Sequence, residues 1–257
     1  MKFTSVLFAL LLISTIPIVS STGYQVPTIS GPQSTLVLPV FFADVGNSTS
    51  IQTVQSRVFD DLSAYLQNVS YGNVSITGRV APKWYKLPYS MSYYGSGFDK
   101  LNELIAHSVR AADPDVNYRE YAYLIIVHAG DDSDRSGKPN DVKSSASLGA
   151  YGPLYTGEGT VALSVSIVAE KDPLGVYAHW FLRSSGLTEL WHYGIYESVP
   201  EDDFMGEWCV MAHGFWGNNG STPAHPCSWS KMKLGWIPPS QVLDLSLIHI
   251  SEPTRPY

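Results

Sequence analysis

Residues 173–191 read PLGVYAHWFLRSSGLTELW. Asp172 and Pro173 offer a cap and a first-turn proline, and Gly186 offers a stop. The spacing therefore predicts a helix over Pro173–Ser185. Upstream of it, Val161, Leu163, Val165 and Ile167 alternate with Ala162, Ser164 and Ser166, the pattern of a half-buried strand. Tyr121–His128 (YAYLIIVH) and Thr35–Val45 (TLVLPVFFADV) are apolar almost throughout and read as buried strands. Between them lie two helical stripes. One is Ile51, Val54, Val58, Leu62 and Tyr65, with Ser48 and Thr49 as candidate caps and a break at Tyr71-Gly72. The other is Phe98–Ala112, with Leu101, Ile105, Val109 and Ala112 on one face and a stop at Asp113-Pro114. Val74–Val80 reads as a further strand. Strands alternating with helices predict a mixed α/β fold (α+β in the looser sense).

The chain has 257 residues, 44% of them hydrophobic and 15% charged, which suffices for a sizeable core. Its formal net charge is −7, and no basic stripe stands out, which argues against a nucleic-acid partner. Residues 1–22 resemble a secretory signal: Lys2, the apolar run Val6–Ile13, then Pro17 and small residues. That run is shorter than the ~20 apolar residues a membrane span needs, and no later stretch replaces it, so no transmembrane helix is expected once the signal is removed. Asn47, Asn68, Asn73 and Asn219 each open an N-x-S/T acceptor site. These features together predict a secreted or cell-surface glycoprotein. Cys209 and Cys227 are an even pair, compatible with a disulfide or with two buried thiols.

Two further stretches invite functional readings. Asp131, Asp132, Asp134 and Asp141 supply the carboxylates a calcium ion takes, but their spacing matches no calcium loop, and a solvated acidic loop over Asp131–Ser147 is the expectation. The aromatic run Trp84–Tyr94 (WYKLPYSMSYY) predicts packing and loop anchors rather than a ligand platform. At the other end, Leu245–Arg255 (LSLIHISEPTR) matches, residue for residue, an in-frame translation of a sequencing-library transposase adapter. Residues 245–257 are therefore set aside from the fold, and residues 35–244 are expected to form one domain that the natural gene continues.

The helix text resembles that of the secreted zinc metallopeptidases of the immune inhibitor A type, which carry H-E-x-x-H-x-x-G-x-x-D on such a helix. Gly206–Trp216 (GEWCVMAHGFW) and Pro223–Ile237 (PAHPCSWSKMKLGWI) resemble that family's methionine turn and the segment after it. Tyr71–Ile76 (YGNVSI) and Ile125–Gly130 (IIVHAG) also resemble family text. The likeness covers most of Thr35–Ile237. It implies a zincin (metzincin-like) fold with a mixed twisted sheet, a central active-site helix and a methionine turn. It also implies zinc as cofactor and a peptide or protein as substrate or ligand.

In the family motif, two histidines four apart share a helix face and grip zinc, and the glutamate between them activates the bound water. By that resemblance His179 is the first ligand, Gly186 the turn glycine, Glu189 the third ligand and Met211 the methionine of the turn. Trp180, however, stands where the general-base glutamate belongs, and an indole takes no proton from water. Arg183 stands where the second histidine belongs, and a guanidinium has no lone pair to offer. No residue is left in the catalytic seat, and losing general-base catalysis alone costs about 10²–10⁴ in rate. The resemblance therefore implies a pseudopeptidase in which Arg183 pairs with Glu189 across the former metal site. Two alternatives remain. One is a working zinc endopeptidase whose motif is misreported, or rewired through His192, His213 or His225. The other is a structural surface module.

Overall fold

The computed structural model describes residues 28–190 and 205–242; the signal-like start, His192 and the adapter-like end lie outside the described residues. The sheet has six strands. β1 (Gly31–Phe41) is flanked by β2 (Val74–Val80) on one side and β4 (Tyr123–His128) on the other, and the two-residue β3 (Tyr85–Lys86) continues the β2 side. β6 (Gly159–Ala169) joins β4, and β5 (Ser145–Thr156) closes the order β2-β1-β4-β6-β5. Every pairing is parallel except β5 with β6.

A parallel sheet needs cover on both faces, which is why β4 is buried at all six positions. Alternate residues divide between two cores. Val37, Ile125, Val127 and Val168 pack on one face against α1 (residues 51–69) and α3 (Leu174–Ser184). The first of these helices, α1, is a single rod of α-helical ends Ile51–Gln55 and Ser63–Val69 around a π-helical centre Ser56–Leu62. Leu36, Leu38, Val40, Leu124 and Ile126 face the other way, toward Leu104, Ile105 and Val109 of α2 (Phe98–Ala112). A last short helix, α4 (Ser228–Lys233), precedes buried Leu234 and Trp236, which join the α1–α3 core. Among the described residues no helix is long and apolar enough to cross a membrane.

Several expectations need correction. Ser50, not Ser48 or Thr49, caps α1: its side chain accepts from the Thr53 amide. Ser48 and Thr49 instead donate their amides to Glu170 just after β6. Asp172 does not cap α3 either. Pro173 occupies the N-cap position without a side-chain bond, while Asp172 turns inward and is 1% exposed.

The stretch expected as a solvated acidic loop includes a buried carboxylate. Asp132 is 5% exposed and accepts amides from Asp134 and Ser144. Asp131 and Asp134 pair with Arg135 and Lys143. These contacts engage Asp131, Asp132 and Asp134. The long β5 went unread because its alternation is weak: only Leu154 of its twelve residues is buried. The aromatic run behaves as expected, with Tyr85, Leu87, Met91 and Tyr94 buried in the α2-side core.

Candidate functional site

The site is assembled where α3 leaves the sheet. At its first turn, Gly175 meets main chain directly. A Cβ there would lie 1.8 Å from the Phe215 carbonyl oxygen, and the Gly175 amide donates to the Gly220 carbonyl at 2.8 Å. This close approach locks the helix against residues 213–220. One turn on, His179 is fully buried, and its Nδ1 donates to the Val210 carbonyl at 2.8 Å. That bond orients Nε2 toward Glu189, whose Oε1 is 3.6 Å away. Trp180 meets the imidazole edge-on at 4.6 Å between ring centroids, and Phe215 lies 4.8 Å away on the same ring.

The helix ends in a Schellman arrangement. The Gly186 amide donates to the Arg183 carbonyl at 2.9 Å and the Leu187 amide to the Leu182 carbonyl at 3.2 Å. Gly186 has φ of +105°, outside the comfortable range of any residue with a Cβ. The turn sends the chain back along the helix. The Leu190 amide then donates to the Met211 carbonyl at 2.8 Å, which fixes the returning strand to the buried segment Cys209–Ala212. Glu189 is thereby carried over α3, where its Oε2 lies 3.9 Å from Arg183 Nε.

His179, Arg183 and Glu189 are thus brought together, with Trp180 beside them and Met211 fully buried next to the Val210 carbonyl that holds the imidazole. Zinc would need three lone-pair donors here. His179 and Glu189 offer two, and the third seat holds a permanently charged guanidinium, so this set of side chains does not fit the metal. Among the described residues no group of three or more His, Cys, Asp or Glu side chains is placed to hold a metal ion. His225 belongs to another cluster, with its Nδ1 3.2 Å from Lys231 Nζ; burial, and then that ammonium, lower its pKa. His213 is exposed at the start of the turn that follows Ala212, and His192 lies outside the described residues.

Cys209 and Cys227 are neighbours, as a bridge would require, but both are free thiols here. The Cys227 amide donates to Cys209 Sγ at 3.2 Å and Cys227 Sγ lies 3.4 Å from Ser230 Oγ. Burial pushes the Cys209 thiol up, which disfavours the reactive thiolate. The four acceptor asparagines, Asn47, Asn68, Asn73 and Asn219, are all exposed.

Two hollows open on this constellation. A groove of about 580 Å³ runs between α2 and the start of β5 and is lined by Phe98, Leu101, Ala146, Trp180, Arg183 and Glu189. β5 is the outermost strand of the sheet on that side. A smaller cavity of about 220 Å³ adjoins it, shares Trp180 and Glu189 in its lining, and reaches Asp132, Ser144 and Asp172.

This polar cluster was not anticipated from the sequence. Asp172 Oδ2 accepts from Ser144 Oγ at 2.6 Å and from the Ala169 amide at 2.8 Å. Burial pushes its pKa up to about 7 against the lowering effect of those donors. The sequence carries a signal there, an aspartate before a proline, but locally that signal is the same as a helix cap. No protein-family model matches the chain, and no curated protein matches it.

Proposed function

We propose that this chain is a secreted, metallopeptidase-like binding protein: a hydrolase scaffold that holds a peptide or protein segment without cutting it. In this reading the arrangement is zincin-like, α3 is the former active-site helix and the Cys209–Ala212 segment is the former methionine turn. The observation that carries it is the convergence of Arg183 and His179 on Glu189. A guanidinium supplies, as a fixed part of the chain, the positive charge that a metal would bring to that carboxylate, and the carboxylate stays compensated without one. Trp180 fills the position of the general base, and its indole can take no proton from water.

The cleft itself supports binding. An outermost strand presents main-chain donors and acceptors to an extended peptide, and β5 borders a groove with the apolar side chains Phe98 and Leu101 on its far wall. The half-buried Trp180 and Arg183 face the same groove, residue types that dominate binding energetics when desolvated. The test is elemental analysis of the purified secreted protein together with a casein digest and a peptide-array screen. The expected result is no stoichiometric zinc, uncut casein and saturable peptide binding. One zinc per chain with casein cleavage would overturn the proposal.

A further inference from the structure

We propose that Cys209 and Cys227 form a redox-sensitive clamp on the loop that seats α3: a disulfide oxidant closes them into a bridge, and the bridge holds the anchor points of His179 and Glu189 in place. The inference does not depend on what the groove holds. The two cysteines stand 18 positions apart, and the stretch between them carries the main-chain groups that position the site. The Val210 carbonyl accepts from His179 Nδ1. The Met211 carbonyl accepts from the Leu190 amide, and the Gly220 carbonyl from the Gly175 amide at the start of α3. A covalent closure at the ends of this loop therefore acts on all of these contacts at once.

Two cysteines in one chain do not make a bridge; their placement decides it. The Cys227 amide donates to Cys209 Sγ at 3.2 Å, so that sulfur lies within about 5 Å of the Cys227 Cα, one bond further on. This is inside the reach of a disulfide. The two thiols also share a side-chain hydrogen bond. Main chain fixes both ends: the Val210 amide donates to the His225 carbonyl at 3.3 Å, the Cys209 carbonyl accepts from Ala212 and Gly214, and the Cys227 carbonyl accepts from Lys231. Cys227 Sγ leans on Ser230 Oγ at 3.4 Å, and a turn about its χ1 toward Cys209 is the movement the bond needs.

As free thiols the pair ties the loop weakly, because sulfur is a poor hydrogen-bond acceptor. The oxidant is a small disulfide such as oxidised glutathione. Cys227, the less buried of the two, loses its proton and attacks one glutathione sulfur; that S–S bond breaks, a mixed disulfide forms and one glutathione leaves as a thiol. Cys209 then loses its proton and attacks Cys227 Sγ, and the second glutathione leaves as a thiol. The protein gives up two protons and two electrons in forming one S–S bond, and the glutathione disulfide takes them up as two thiols.

The experiment equilibrates the full chain with oxidised or with reduced glutathione and reads intact mass, thermal unfolding and hydrogen exchange. The oxidised sample should be lighter by two hydrogens, and its non-reducing digest should join the Cys209 and Cys227 peptides. Its thermal midpoint should lie about 5–10 °C above that of the reduced sample, as closure of a loop of this length implies. Exchange separates a clamp on the site from a bridge that only stabilises the fold. The Gly175 and Leu190 amides, whose acceptors lie inside the loop, should exchange about tenfold or more slowly once the bridge forms, and the amides of the β5–β6 hairpin, outside it, should change less. Cys227→Ser, at a partly buried position, should abolish every response to glutathione. The mass and exchange of the parent chain decide the matter should that variant misfold.

Two free thiols after equilibration with oxidised glutathione, or a mixed disulfide that goes no further, would overturn the proposal. So would a bridged chain whose Gly175 and Leu190 amides gain no more protection than the β5–β6 hairpin. The clamp and the binding cleft fail separately. A bridge that protects the loop in a chain that engages no peptide spares the clamp and sinks the cleft, and saturable peptide binding by a chain that keeps both thiols does the reverse.

Discussion

Replacing Arg183 by methionine keeps the apolar stem and removes only the charge, so it isolates the contact on which the metal-free reading depends. Glu189 has a side chain only 9% exposed, with the guanidinium nitrogen 3.9 Å from its Oε2. At an effective dielectric of about 20, two unit charges at that distance attract by about 4 kcal/mol. Some of this offsets the desolvation of both ions. What remains on removing one partner is a buried carboxylate without its compensating charge, a change that typically costs 3–5 kcal/mol. Arg183 is 22% exposed, so water relieves part of the penalty, and the expected loss is at the lower end, about 3 kcal/mol. Urea unfolding followed by tryptophan fluorescence, with the m value checked for constancy, measures it. The companion variant Arg183→Met/Glu189→Gln removes the stranded charge and should recover much of the loss, for a coupling of about 2 kcal/mol in the double-mutant cycle. If Arg183→Met lies within about 0.5 kcal/mol of the parent and the two changes add, the guanidinium does not stand in for a metal and the reasoning fails.

Three other outcomes follow from the same geometry. Trp180→Glu/Arg183→His places two histidines four apart opposite Glu189; zinc should raise its thermal midpoint by several degrees, as about 2.7 kcal/mol at a hundredfold excess over Kd requires, while the parent midpoint stays put. Gly186→Ala should cost at least about 1–2 kcal/mol in denaturant unfolding, because φ of +105° is closed to residues with a Cβ. Stability should also carry a pH signature from Asp172. Burial raises its pKa to about 7, so the folded chain keeps a proton that the unfolded chain releases near pH 4. Its contribution is full below that pH and is lost as pH rises to about 7, a span of at most about 4 kcal/mol. Asp172→Asn should flatten this fall. Glu170 works in the opposite direction. Burial alone would raise its pKa, but donors from Gly130, Ser48 and Thr49 outweigh it and hold it low. Its share is present above the ordinary carboxylate range and is lost as pH falls through its depressed value.

What the sequence made legible was the part of the fold governed by periodicity. β1, β4, α2 and α3 were read within a few residues, since burial on one face or both leaves an apolar pattern of the matching period. The stop at Gly186 was legible too, because a glycine just past the last apolar turn ends a helix; the return of Glu189 was an expectation from the family resemblance alone. β5 was not, because an outermost strand with one buried residue among twelve has no apolar alternation to detect. Asp172 was misread for a different reason. A carboxylate before a proline has the local signature of a cap, and only the tertiary placement of Ser144, 28 positions away along the chain, turns it inward. Local signals fix local structure, and the polar interior is a nonlocal property.

The positions of the site also differ in what the frame demands of them. Gly175 and Gly186 are required by backbone contact and backbone angle, and either would disturb α3 if replaced, whatever the protein does. Val210 and Met211 hold His179 and the Glu189 strand through carbonyls, which any residue supplies, so the frame places few demands on side-chain chemistry. Positions 180 and 183 are different, because nothing in the packing of α3 needs a glutamate or a histidine there. Both side chains are only partly buried and face the groove. They can change without unfolding the frame, provided the charge on Glu189 is answered. A guanidinium answers it more reliably than an imidazole, which loses its proton near neutral pH. An arginine four residues after His179 therefore suits the proposed metal-free site, and a lysine, with a point charge on a flexible stem, should serve it less well.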